Sequence, residues 1–384
     1  MVKNRVLILY DGYLPAKNFG GPVVSLSNLI NLCEEEIEFY IFTLNHDLNE
    51  KRVLNGIQQG ANKIGKATVY YFSNNNFNIR KFKNIIEEIQ PNVIYQNGFF
   101  NYKILKESLK LSSNSNLPLI IAPRGELNKN ALAIKKWKKG PYAFLFKYIL
   151  IRNKNTYFHS TSPEESKAIE KKLNIENKKI YQLENIPTLN DANLLLNNEK
   201  NKGKVKIIFL SRIQVKKNLL YAIKIVNEIE SIQIEFDIYG PIENPEYWDE
   251  CKKSMKSAKK NISFNYCGVV ERDKIFEVFS NYDIFFFPTL SENYGHVIVE
   301  ALSAACPILI SDQTPWTDIN NFGGGYAISL NNKELFKEKI MDIANLNNEE
   351  YYMLRIRAKN YIKSKYSLED LKKKYSRLFN EIKK

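Results

Sequence analysis

Two glutamates, Glu292 and Glu300, stand eight positions apart in the stretch SENYGHVIVEAL (291–302). A turn-like SENYG precedes an apolar, helix-like run, so one carboxylate lies just before a helix start and the other inside the helix. The first amides of a helix lack intrahelical partners and its dipole is positive at that end, so the tip suits an anion. Gly295 at the tip admits close backbone approach. If the helix opens at Gly295, Glu300 lies roughly 8 Å further along the axis. One glutamate then reaches one end of an extended ligand and the other its far end, with a phosphate between them. A nucleoside diphosphate-sugar has that shape. The competing reading has Glu292 merely complementing the dipole and Glu300 solvated. Glu300, however, sits among Val299, Ala301 and Leu302, and a carboxylate on a largely apolar helix needs a partner.

Two further stretches carry charge or backbone freedom. SRIQVKKN (211–218) directly follows the strand-like KVKIIFL, so Arg212 and Lys217 leave the carboxyl end of a strand, where open α/β sheets bind their ligands. Two cations there can neutralise a diphosphate and stabilise it as negative charge builds on departure. Taken alone, an arginine and a lysine in a loop are ordinary surface residues. FGGP (19–22) follows the first strand, and Gly20 and Gly21 could admit a phosphate or sugar ring. The fuller GxGxxG fingerprint is absent, and a tight turn is the alternative.

The elements that must position these residues alternate strand and helix. RVLILY, EFYIFT, TVYYF, NVIY, LPLIIA and TYFHS read as strands, with helices such as PVVSLSNLINLC and NIRKFKNIIEEI between them. A second series, KVKIIFLS, EFDIYG, ISFNYCG, DIFFFP and PILIS, begins after the polar joint at 184–204. The pattern predicts two consecutive α/β units, each a parallel sheet with helices on both faces. At 384 residues the chain is long enough for both. The terminal SLEDLKKKYSRLFNEI places Leu368, Leu371, Tyr375, Leu378, Phe379 and Ile382 on one helical face. No stretch approaches the roughly 20 apolar residues of a membrane span, and the apolar run after Met1 reads as a first strand rather than a signal peptide. Four scattered cysteines without a CxxC read as reduced thiols in a cytosolic protein. The net charge of +14 leaves nucleic acid, anionic membrane and phosphorylated small molecules open as partners.

Taken in order, FGGP, SRIQVKKN, IYG, YCGVV and FFFPTLSENYGHVIVEALSAACPILIS resemble the retaining GT-B glycosyltransferases with the E-x7-E motif, of the family-4-like, bacterial surface polysaccharide type. APRGELNKNAL (122–132) and FHSTSPEES (158–166) look like first-domain segments of such members. The resemblance implies a GT-B fold: two Rossmann-like parallel-sheet domains facing across a cleft, with a C-terminal helix crossing back. The expected domains are 1–186 plus 366–384 on the acceptor side, and 187–365 binding the nucleotide-sugar. By position, Glu292 matches the glutamate on the donor sugar and Glu300 the one on the ribose. Arg212 and Lys217 match the basic pair on the diphosphate. Tyr294, Gly295 and His296 fall where backbone amides meet it, and Gly20 and Gly21 match the glycine loop. Val269 and Val270 fall where the base is bordered, and Arg124 where several members carry a histidine near the donor sugar. Departures are Asn97 where many members have histidine, Ala305 where glycine is common, and ENIPT at the interdomain crossing.

No DxD and no metal-ligand spacing occurs in the sequence, so the expected transfer needs no metal and no cofactor beyond the donor. A lipid-linked, polyprenyl-borne saccharide is the expected acceptor. The rivals are a sugar-nucleotide epimerase or phosphorylase of the same fold, and a non-catalytic scaffold subunit. His159 reads as structural or cleft-lining, and Trp316 as packing beneath the cleft. Nucleic acid is not expected, because charge alone supports it. Residues 131–154 carry seven Lys/Arg and no acid, interleaved with aromatics. Either this segment meets an anionic membrane surface at the inner face of the cell membrane, or it packs with a solvated basic face. Flotation with anionic liposomes distinguishes the two: binding at low salt is expected if the first holds, and its absence removes the membrane contact.

Overall fold

The first strand, β1 (Asn4–Leu9), is apolar and buried from Val6 onward because that part lies inside a parallel sheet covered on both faces. The computed structural model describes residues 3–16, 18–48, 50–127, 142, 146, 149, 153, 155–189 and 199–382. Around β1 the sheet runs β3-β4-β2-β1-β5-β6-β7-β8. Its members are β2 (Ile37–Leu44), β3 (Ala61–Ile64), β4 (Ala67–Phe72), β5 (Val93–Asn97), β6 (Leu119–Ala122), β7 (Thr156–Ser160) and β8 (Ile180–Gln182). Every pairing is parallel except the β3–β4 hairpin at the edge. The second sheet is parallel throughout, in the order β11-β10-β9-β12-β13-β14. Its strands are β9 (Lys204–Leu210), β10 (Gln233–Tyr239), β11 (Ile262–Gly268), β12 (Ile284–Phe287), β13 (Ile308–Ser311) and β14 (Gly325–Ile328).

The chain divides into two units, Met1–Ile186 with Leu368–Lys384, and Pro187–Ser367. The two sheets with their covering helices bear out the expected pair of Rossmann-like α/β units. The strands expected from apolar runs all form, and β3, β8 and β14 are additions. Those three span only four, three and four residues, too short for an alternation to show.

The terminal helix Leu368–Ile382 belongs to the first unit because its apolar stripe is buried there. Leu371, Tyr375, Leu378, Phe379 and Ile382 are all covered. Leu368 is a correction: it is 37% exposed, because it opens the helix before the stripe reaches the core. Phe379 meets Phe39 and Tyr95 edge-on at ring separations of 6.3 and 5.9 Å. The Tyr375 hydroxyl donates to the Glu184 carbonyl at 2.8 Å. Among the described residues no helix is long and apolar enough to cross a membrane. Most of 131–154 lies outside the described residues, so the basic, aromatic segment has no structural account.

Phe379 is fully buried and truncation leaves a cavity the helix cannot fill, so Phe379→Ala should cost about 3–5 kcal/mol. Urea unfolding of the first unit's transition measures it, and a loss under about 1 kcal/mol would mean the helix is not held by this face.

Candidate nucleotide-binding edge of the second sheet

β9 and β12 are hydrogen-bonded neighbours, so the segments leaving their carboxyl ends emerge side by side. They are stitched together. The Leu290 amide donates to the Lys216 carbonyl at 2.9 Å, and Asn218 Nδ2 donates to the Pro288 carbonyl at 2.8 Å. Thr289 Oγ1 donates to the Lys216 carbonyl at 3.1 Å. These bonds bring Lys217 Nζ onto Glu292 Oε1 in an ion pair, with each side chain 12% exposed. The same ammonium stands 5.3 Å from the centre of the Phe287 ring, a cation–π contact that further holds it at the strand end.

Arg212 leaves the same end of β9. Its Nη1 is paired with Glu243 at 3.1 Å. The loops after β9 and β10 touch so closely that a Cβ on Gly240 would lie 1.9 Å from the Ser211 carbonyl oxygen. Only glycine fits there, and its φ of 130° is closed to other residues. Gly240 thereby sets the path along which Arg212 exits.

The helix after β12 runs His296–Ser303, and Gly295 caps it at φ 80°. This left-handed turn aims the chain from Glu292 into the helix axis. Trp316 fixes the turn: its indole Nε1 donates to the Tyr294 carbonyl, and it is 4% exposed. Tyr294 packs edge-on against both His296 and Trp316, at 4.7 and 5.6 Å. The helix ends in a Schellman arrangement, with the Cys306 amide bonding Ala301 and the Ala305 amide bonding Leu302. Ala305 therefore sits at φ 56°, which accounts for glycine being the common residue at such a position.

Glu300 is 7% exposed in this helix. Burial pushes its carboxyl up to about 7, and the Arg272 guanidinium draws it partly back. Arg272 follows the loop after β11 that carries Val269 and Val270. Val269 is 59% exposed and Val270 half-buried. Arg272 was not singled out in the sequence. The one signal was its place two residues after Val270 in GVVERDK, and a lone arginine in a polar turn does not announce a buried carboxylate as its counterpart.

Gly20, Gly21 and Arg124 lie in the first unit, and the other nine candidates in the second. Gly20 caps the Gly21–Cys33 helix with Pro22 in its first turn. The preceding Asn18 amide donates to the buried Asp47 carboxylate at 3.0 Å. Arg124, at φ 55°, donates through Nε to Asn97 at 2.8 Å, through Nη1 to Asn185 at 2.7 Å and through Nη2 to the Tyr95 hydroxyl at 2.9 Å. Its fork therefore ties the ends of β5 and β6 to the segment near 185. Tyr95 passes its own proton to His159 Nδ1 at 2.7 Å, and His159 Nε2 donates to the Leu183 carbonyl at 2.9 Å. Burial, with Arg124 nearby, holds His159 down to about 3, so it is a neutral structural link.

The fold defined by these two sheets and the returning terminal helix is GT-B. HepE of Anabaena, in complex with UDP and glucose, superposes at TM-score 0.73 with 13% identity, over 98% of this chain and 100% of that one. Sucrose-phosphate synthase from Thermosynechococcus elongatus does so at 0.71 with 12% identity, over 99% of each. A glycosyltransferase from Rickettsia africae gives 0.67 with 14% identity, over 99% and 98%. At such identities the likeness establishes the fold alone. In sequence, residues 193–363 match the family described as "Glycosyl transferases group 1". That segment falls in the second unit, where the paired charges lie. Protein CapJ of Staphylococcus aureus is 30% identical over 160 residues, 38% of this chain and 35% of CapJ. The match thus spans about a third of that relative's length.

Glu300 gives the site a pH signature. If Glu300 holds a ligand as a carboxylate, affinity should fall as pH drops below about 7, because the neutral acid is the weaker acceptor. The folded carboxyl lies above its unfolded value of 4.5, so the contribution of Glu300 to stability is fully present below that value and is lost as pH rises from there through about 7. Glu300→Gln should flatten both profiles and raise the melting temperature more at pH 8 than at pH 5. Profiles parallel to the parent's would show that Glu300 is not the titrating group.

Proposed function

We propose that the chain is a retaining glycosyltransferase that moves a hexose or N-acetylhexosamine from a nucleoside diphosphate-sugar to a saccharide acceptor. The observation that carries this is the Lys217–Glu292 ion pair on the segments leaving β9 and β12, with Glu292 shortly before the His296–Ser303 helix in the chain. A cation and a carboxylate thus meet at one carboxyl edge of a parallel sheet, and the chain from the carboxylate leads into a helix start. A diphosphate brought to this edge competes with Glu292 for the Lys217 ammonium and takes hydrogen bonds from the helix-tip amides near Tyr294, Gly295 and His296. Arg212 adds a second positive group. Glu292, released from the lysine, then accepts hydroxyl protons from the donor sugar. Glu300, a helix turn or more further on, accepts from the ribose, and Val269 and Val270 border the base.

In this reading the positive charge is supplied by Arg212, Lys217 and the helix tip, with no metal. Among the described residues no three His, Cys, Asp or Glu side chains gather as metal ligands. The acceptor hydroxyl attacks from the face the diphosphate leaves, and the departing phosphate oxygen takes its proton. The O–C bond forms as the C–O bond to phosphate breaks, and configuration is kept. Glu292 orients the sugar and favours positive charge at the anomeric carbon. Gly20 and Gly21 lie beneath donor and acceptor, and the loop braced by Arg124 lies near the donor sugar. The family match over 193–363 supports the donor half of this reading. The UDP-bound relative of the same fold supports a uridine nucleotide as the first donor to try. A lipid-linked acceptor at the cytoplasmic membrane surface, in surface polysaccharide synthesis, completes the proposal.

Incubation with UDP-, GDP- and ADP-sugars should release nucleotide from at least one, faster with an acceptor present. Glu292→Ala should keep donor binding within a fewfold and lose at least about a hundredfold in kcat. Turnover within a fewfold of the parent would falsify the role given to Glu292, and an absence of release from every donor would favour a non-catalytic subunit.

A further inference from the structure

The first unit holds a cavity of about 500 Å³ away from the residues discussed so far. Its size falls within the range of small-ligand sites. Its lining includes Asn45, Tyr71, Phe72, Gln59, Asn76 and Lys81. Asn45 directly follows β2 and Ser73 directly follows β4, so the cavity opens at the carboxyl ends of two parallel strands. That is the edge at which β1 delivers the glycine loop, and ligands of open α/β sheets bind along it.

The walls are preformed. The Asn45 amide donates to the Phe72 carbonyl at 3.0 Å, and the Leu54 amide to the Asn45 carbonyl at 2.9 Å. Asn62, 8% exposed, cradles the opposite wall. Its Oδ1 accepts from the Gln58 amide at 2.7 Å, and its Nδ2 donates to the carbonyls of Gln58 and Gly60 at 2.9 and 3.0 Å. The Tyr71 hydroxyl donates to the Leu14 carbonyl. This last bond joins the cavity wall to the segment between β1 and Gly20.

The lining chemistry selects the ligand. Side-chain amides both donate and accept, so Asn45, Gln59 and Asn76 can pair with hydroxyls in either sense. Tyr71 and Phe72, consecutive on β4, add aromatic rings on either side of the strand, either of which can meet the apolar face of a sugar ring. Among the described residues of the lining Lys81 is the one cation, enough for a single carboxylate but not for a diphosphate. β4 stands two strands from β1 in the sheet, about 10 Å away. A group seated here is not the one that reacts beside the glycine loop.

We propose that this cavity is a saccharide subsite that holds a sugar of the acceptor other than the one being extended. It rests on the reading of the first unit as the acceptor side. It adds that the acceptor is at least a disaccharide, recognised through amides and aromatic rings, with room for one acidic sugar.

Saturation-transfer NMR on the whole chain, with lactose, N,N′-diacetylchitobiose and a hyaluronan disaccharide as probes, tests it. UDP binding is read in the same samples. At least one saccharide should receive saturation. Its affinity should fall at least about tenfold in Gln59→Trp and in Asn76→Trp, with UDP binding unchanged. Both residues are exposed, so an indole at either site can fill the cavity without disturbing the core, and melting temperatures should stay near the parent's. If UDP binds and no saccharide does, or if the saccharide binds both variants as well as the parent, the subsite is overturned and the donor reading stands. Saccharide binding lost in the variants supports the subsite whether or not UDP binds, and a parent that binds neither UDP, GDP nor ADP overturns the donor reading.

Discussion

The second unit is organised around one constraint: the segments leaving β9 and β12 must stay joined so that Lys217 and Glu292 meet. Backbone and side-chain bonds from 216–218 to 288–290 enforce this. The ion pair is largely withdrawn from water, at 12% exposure on each side. A desolvated pair contributes little net stability, while the loss of one partner strands the other at a cost of several kcal/mol. Such a pair is poorly explained as scaffolding. It makes physical sense as a charge arrangement whose partners can be exchanged for a ligand's.

Two buried ionisable groups, Arg124 and Glu300, stand in opposite circumstances. Arg124 has three partners for its fork, and the chain through Tyr95 to His159 is satisfied to its end at Leu183. That network braces the first sheet's carboxyl edge. Glu300 is instead buried against apolar neighbours, and Arg272 compensates only part of its burial, so its carboxyl is held near neutrality. Its burial therefore costs the fold wherever the carboxyl is ionised.

Most of the architecture was legible because buried parallel strands read as continuous apolar runs, as IIFL in β9 and IFFF in β12 do. The short edge strands β3, β8 and β14 were not, since they carry too few residues to show a pattern. Of the candidate site, Glu292, Lys217, Gly295 and Glu300 were readable from type and spacing. Their assembly on one edge follows from β9 and β12 being neighbours, which only the topology states. In the sequence Asn97 stood out as a departure and Arg124 as a candidate near the donor sugar. The structure bonds them to each other at 2.8 Å, a pairing 27 residues apart that no local pattern encodes. Arg272 was missed for the same reason: its counterpart lies on another element.

The central claim is that Arg212, Lys217 and the Gly295 helix tip together hold a nucleoside diphosphate. Calorimetric titration of UDP, GDP and ADP into the parent chain and into an Arg212→Ala, Lys217→Ala double variant tests it most directly. The account predicts that at least one nucleotide binds the parent and binds the double variant about a hundredfold or more weakly. Binding of none of the three to the parent, or equal binding to both proteins, would contradict it.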